Sequence, residues 1–175
     1  MNKPLLEWSE ALALDQQTMD DTHREFVELL NRVAALPDNE LLAGLDDFIK
    51  HTEEHFGQEE RWMQEFAFPP AHCHQGEHAN VLEVIREVRK RVADGQVQLG
   101  KTLTDALAEW FPQHAGSMDA ILALYMKQIG YVPGADNSAA IAVAAAANAA
   151  QAAPGCSPGA DACGHGAPAE AGQQS

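Results

Sequence analysis

Apolar residues recur three and four positions apart in four successive stretches, and Pro, Gly or Asp closes the first three. That period is the mark of amphipathic helices, and it leaves little room for strands. The first stretch covers 18–36, with Met19, His23, Phe26, Val27, Leu30 and Val33 on one face before Pro37-Asp38-Asn39. The second covers 39–65 and carries Leu41, Leu45, Phe48, Thr52, Phe56, Trp62 and Met63, with Pro69-Pro70 after it. The third covers 70–93, with Val81, Leu82, Val84, Ile85, Val88 and Val92, and stops at Asp94-Gly95. The fourth runs from about Gly100 to 129, through Leu103, Leu107, Trp110, Phe111, Ile121, Leu122, Leu124 and Tyr125. Pro112 falls inside it and predicts a kink or local break.

Short connections make consecutive helices antiparallel neighbours. The expected fold is therefore all-α: an up-down-up-down antiparallel four-helix bundle over 1–133, preceded by a short N-terminal arm bearing Trp8. Composition changes at "YVPGADNS", residues 131–138. Beyond it the chain is rich in Ala, Gly, Pro and Ser and lacks Phe, Trp, Tyr and Leu. Such a segment buries too little apolar surface to offset its chain entropy, so 134–175 reads as a disordered, low-complexity tail, with a marginal helix over the Ala run at 139–153.

The 175 residues carry a net charge of −15, which disfavours nucleic acid and anionic membrane as partners. No long apolar run precedes the tail, and the first residues lack the apolar core of a signal peptide. Three cysteines, two of them in the tail, do not make a disulfide framework, so a reducing cytoplasm is expected. The expected assembly state is a monomer, with the tail as the one segment able to recruit a protein partner.

The informative residues are polar side chains that share the apolar stripes. Positions i and i+4 of a helix lie about 40° apart, one turn up. His74 and His78 meet that condition, as do His55 and Glu59, with His51 a competing candidate four residues before His55. His72 points about 200° away from His74, and Cys73 and Glu77 lie about 100° from the neighbouring histidine. Cys73 then reads as a surface or helix-interface thiol. His23 lies among Met19, Phe26 and Val27, and His114 and Asp119 lie near the end of the fourth stripe. On an ideal helix five residues separate the last two by about 140°, so spacing alone does not pair them.

Each of these alone has an ordinary explanation as a satisfied core or surface group. Together they place histidine on all four stripes and a carboxylate on two. Burying five imidazoles and two carboxylates without a strong partner would cost many kcal/mol, and a metal centre removes that cost. Seven ligands are too many for one ion and do not suit a tetrahedral zinc; nitrogen and oxygen donors without thiolate suit two irons.

The residues "MDDTH" at 19–23, "HFGQEE" at 55–60, "HQGEH" at 74–78 and "WFPQHAGSMD" at 110–119 stand in order on the four helices. In this the chain resembles the hemerythrin family, and bacterial hemerythrins in particular, over about residues 5–132. The resemblance implies two non-haem irons with an oxo or hydroxo bridge and reversible binding of dioxygen. It assigns His74, His78 and His114 to one iron and His23 and His55 to the other, with Glu59 and Asp119 bridging. It also chooses His55 over His51. Dioxygen would enter at the two-His iron, within a pocket walled by Phe56, Trp110, Phe111 and Ile121 or Leu122.

Carriage, storage or delivery of oxygen is the leading function, and no enzymatic activity is expected. Sensing through the same site, or a di-iron oxidase or ferroxidase, are the alternatives. Ferritin-like di-iron sites use four Glu and two His, whereas here histidines outnumber carboxylates five to two, which favours reversible binding. Gly116 and Pro112 could loosen the pocket. The tail's Cys156, Cys163 and His165 fall outside the resemblance.

Overall fold

The computed structural model describes residues 3–151, and every regular element among them is helical. Helix α1 spans Gln17–Ala34, α2 Leu41–Glu65, α3 Ala71–Ala93, α4 Gln98–His114, α5 Ala120–Ile129 and α6 Ser138–Gln151. A π-helical turn, Ala115–Asp119, joins α4 to α5. Packing runs in a ring: α1 on α2, α2 on α3, α3 on α4, and α4 back on α1.

Local chemistry sets the helix ends. The Gln16 side chain accepts the Met19 amide at 2.6 Å and so caps α1. Gly95 and Gly130 adopt positive φ and close α3 and α5. At the end of α5 the Tyr131 amide reaches back to the Met126 carbonyl at 2.9 Å, and the Gly130 amide donates to the Lys127 carbonyl. The end of α2 has the same pattern, with the Phe68 amide on the Met63 carbonyl and the Ala67 amide on that of Gln64. There, however, the left-handed position is an alanine, Ala67, with φ of 46°.

The core is divided in two. One cluster holds Phe26, Leu30, Leu45, Phe48, Ile85, Leu107 and Phe111. The other holds Met19, Trp62, Met63, Phe66, Leu122 and Met126. Along α1 the chain passes from the second cluster, at Met19, to the first, at Phe26. Along α2 it passes the other way, from Phe48 to Trp62. From α4 to α5 it runs from Phe111 to Leu122. This alternation is the up-and-down order, and the buried histidines lie between the clusters on every helix of the ring.

The N-terminal arm packs against α1. Asn31 brackets Leu6 with two hydrogen bonds, of 3.0 and 2.7 Å, and the Arg24 guanidinium lies 4.7 Å from the centre of the Trp8 ring. Pro112 sits inside α4 without ending it; the break in regularity comes three residues later, at the π turn.

Within the tail expected to be disordered from 134, with a marginal helix over the Ala run at 139–153, Ser138–Gln151 form α6. The physical reason is docking through small residues. Ala140 and Ala144 are buried in the second cluster, and Asn148 donates to the Ala67 carbonyl at 2.7 Å. Cys156, Cys163 and His165 lie outside the described residues. Among the described residues no helix is long and apolar enough to cross a membrane.

The left-handed backbone at Ala67 carries a steric cost that glycine would not. Ala67→Gly is therefore expected to raise stability by roughly 0.5–1 kcal/mol, the lower figure reflecting glycine's extra freedom in the unfolded chain. Urea unfolding followed by far-ultraviolet circular dichroism measures it, and a lowered midpoint would contradict the assignment.

Candidate metal centre

Helices α1, α2 and α3 and the α4–π–α5 rod each deliver polar side chains to one buried layer. His23 comes from α1; His55 and Glu59 from α2; His74 and His78 from α3; His114 and Asp119 from the two ends of the π turn. All seven are buried. They fall into two groups whose donor atoms lie within 4.8 Å of one another: His23, His55 and Glu59, and Glu59, His74, His78, His114 and Asp119.

The π turn solves a problem that the sequence posed. In an α-helix residues five apart face different ways. In a π turn the amide bonds five residues back, so positions i and i+5 stack as i and i+4 do in an α-helix. His114 Nε2 and Asp119 Oδ1 consequently lie 3.1 Å apart. One inserted step in helix geometry makes neighbours of two residues that ideal spacing separates.

The carboxylates are shared in an ordered way. Glu59 Oε1 lies 3.0 Å from His55 Nε2 and 3.6 Å from His23 Nε2, while Oε2 lies 3.3 Å from His74 and 3.4 Å from His78. Asp119 Oδ2 lies 3.3 Å from His23, and Oδ1 lies 2.9 Å from His74 and 3.1 Å from His114. Each carboxylate thus turns one oxygen to each histidine group.

The imidazoles also face one another. His114 Nε2 is 3.1 Å from His78 Nε2 and 3.3 Å from His74 Nε2. Two such nitrogens share at most one proton, so three converging nitrogens cannot all be satisfied by hydrogen bonds. His23 Nε2, Glu59 Oε2 and both Asp119 oxygens are buried without a hydrogen-bond partner. Unpaired lone pairs and negative charge in a dry layer are what cations satisfy. Nitrogen and oxygen donors without sulfur fit iron.

The electrostatics point the same way. Burial alone would lower His23 and His74, but the Asp119 and Glu59 carboxylates beside them outweigh it and raise both to about 9. His78 is lowered, because burial outweighs the pull of Glu59. Burial would raise Glu59, yet His23, His55 and His74 hold it well below the usual carboxylate range. Asp119 is lowered too: the imidazoles of His114, His23 and His74 beside it overcome burial and the charge of Glu59.

Other candidates stand apart. His51 is half-buried and faces Glu25 at 3.4 Å, so it does not join the layer. His72 and Cys73 are exposed in the first turn of α3. Cys73 is disulfide-bonded, not the thiol its position suggested. Gly116 is exposed, and a Cβ added there would meet nothing within 4 Å, so it does not open the buried layer.

The expected aromatic wall is spread around the layer. The Phe111 ring meets His23 edge-on at 5.2 Å, Phe56 lies flat on His78 at 3.8 Å, and Trp110 stacks on His114 at 4.5 Å. Leu122 is buried, while Ile121 is 53% exposed and points outward. Sequence reasoning missed Phe26, which stacks on Phe111 at 4.4 Å; its place three residues after His23 was the available signal. It also missed two carboxylates: Glu60, 3.7 Å from His78 Nδ1, and Glu77, which accepts the Trp110 indole N–H at 2.9 Å.

Residues 15–124 match the family described as the Hemerythrin HHE cation binding domain. The chain is 46% identical over 127 residues to a bacteriohemerythrin of Ralstonia nicotianae, covering 73% of this chain and 93% of that one. It is 28% identical to a bacteriohemerythrin of Stenotrophomonas maltophilia, covering 70% and 82%, and 24% identical to one of Methylococcus capsulatus, covering 58% and 81%.

The raised histidines make the metal-free protein sensitive to alkali. Their folded values lie above the ordinary value of 6.5, so the stability they contribute is complete below pH 6.5 and is lost as pH rises through about 9. Urea midpoints of the metal-free chain are expected to fall across that window. A flat profile would show that His23 and His74 do not hold their protons against the carboxylates.

Proposed function

Because this chain belongs to the hemerythrin family, we propose that its buried layer holds two irons and binds dioxygen reversibly, as an oxygen-carrying, storing or delivering protein and not an enzyme. One observation carries the reading: Glu59 and Asp119 each turn one oxygen toward His23 or His55 and the other toward the His74, His78 and His114 group. A carboxylate so placed could serve two ions at once. In this reading His74, His78 and His114 hold one iron, His23 and His55 hold the other, and both carboxylates span them.

Two ferrous ions, when bound there, would supply the two electrons that a dioxygen molecule takes up on binding and returns on leaving. The protein's part is to place ligands and exclude water. Imidazoles ligate in their neutral form, so the protein's own charge at the site comes from two carboxylates. Each carboxylate lies between its histidine partners. Phe26 and Phe111 flank the two-His side and keep solvent from it, while Phe56 lies over His78. A dry site strengthens every charge interaction within it and hinders side reactions.

The oxygen-binding unit in this reading is residues 1–133, and α6 is an addition docked on its surface. The span matched by the family, 15–124, supports that division.

Anaerobic loading with ferrous iron is expected to give two irons per chain. Admitting air should then produce an absorption spectrum that reverses when oxygen is removed. His114→Ala should lose iron, whereas His51→Ala and His72→Ala should retain it. Fewer than two irons, or irreversible oxidation with release of peroxide, would overturn the reading.

A further inference from the structure

A metal-ligating imidazole is ordinarily held in plane by a hydrogen bond from its second nitrogen to a carboxylate or carbonyl. None of the five histidines of the layer has such a bond, since each Nδ1 is buried and unpartnered, but His114 alone has an indole stacked on its ring. It also stands where the backbone is least regular, two residues after Pro112 and at the entry to the π turn. Something else must fix the plane of this ring.

The Trp110 indole does so by contact. It lies against His114 with ring centres 4.5 Å apart and planes inclined by 24°. Trp110 is only half-buried, so packing alone does not immobilise it. Its Nε1–H, however, donates to Glu77 Oε1 at 2.9 Å across the α3–α4 interface. Phe56 stands edge-on to the indole at 6.3 Å and closes the inner side. Glu77 lies next to His78 in sequence but about 100° round the helix, so its carboxylate is spent on the indole and not on the metal layer.

We propose that Glu77 is a positioning residue: by accepting the Trp110 indole N–H it clamps the indole against His114 and fixes that imidazole in the plane a metal requires. The clamp ties α3, which carries His74 and His78, to α4, which carries His114. The three imidazoles of one group are thereby held at a fixed mutual separation by a bond made outside the site. This inference rests on the di-iron reading.

The test uses the full chain loaded anaerobically with ferrous iron, and it measures the rate of iron transfer to a strong chelator. Removing a partner that orients a metal ligand ordinarily weakens metal binding about 10- to 100-fold. Glu77→Ala is expected to speed iron release by about tenfold. Glu77→Gln keeps an acceptor oxygen and should restore slow release, whereas a simple charge effect would not be restored. Trp110→Phe removes the donor and should match Glu77→Ala, and the double variant should be no faster than either single one. Near-ultraviolet circular dichroism of the metal-free protein should lose the same indole signal in Glu77→Ala and in Trp110→Phe. Release from Glu77→Ala at the wild-type rate, or additive effects in the double variant, would overturn the clamp while leaving the di-iron reading intact. A wild-type chain that holds fewer than two irons would overturn both.

Discussion

The sharing of two buried carboxylates among five imidazoles is the interaction on which the rest of the fold depends. Glu59 and Asp119 sit at the centre of the bundle, almost fully out of contact with solvent, each within 3.6 Å of at least three histidine nitrogens. A polar layer of this kind cannot be mixed into a hydrocarbon core without large cost, so the core divides around it. Phe26, Phe48, Ile85 and Phe111 pack on one side and Met19, Trp62, Phe66 and Leu122 on the other. Each helix must cross the layer at a fixed height. That requirement sets the register of all four against one another, since a slip by one turn would bring an apolar residue opposite a carboxylate.

The same constraint explains which features were legible in the sequence. Helix extents followed from the apolar period, and the i, i+4 pairs His55–Glu59 and His74–His78 followed from ideal geometry. His114 and Asp119 did not. Their pairing depends on the π turn at Ala115–Asp119, which the apolar pattern does not announce, and only the family resemblance anticipated it. Leu122 rather than Ile121 faces inward. Pro112 drew attention to the right segment for a reason that proved indirect.

Where the contact is made by small side chains, the sequence carried little signal. The Ala run after 138 has no large apolar residue except Ile141 and Val143, and both are exposed. What docks α6 is the close approach that Ala140 and Ala144 permit, together with Asn148 on the Ala67 carbonyl. That carbonyl belongs to a left-handed alanine just past the end of α2, a position that helix-end chemistry would ordinarily give to glycine. The helix was expected from its Ala run as a marginal one; its docking on the strained turn, through one hydrogen bond, was not legible.

The two halves of the layer are supported by different chemistry. Around His74, His78 and His114 the support is polar at its rim: Glu60 beside His78, and Glu77 reaching Trp110 over His114. Around His23 it is aromatic, with Phe111 edge-on to the ring and Phe26 stacked behind it. His51 is the polar exception on that side, 6.1 Å from His55 with Glu25 beyond it. Polar clamps hold ligands firmly but bring water near; apolar rings hold them less directionally but keep water out. In the proposed di-iron reading, a site that holds one ion with three histidines and the other with two would need firmness at the first and dryness at the second. The division is not complete: Phe56 lies flat on His78 at 3.8 Å, so the three-histidine group has an aromatic cover as well as a polar rim, and what sets it apart is the Glu77–Trp110 contact over His114.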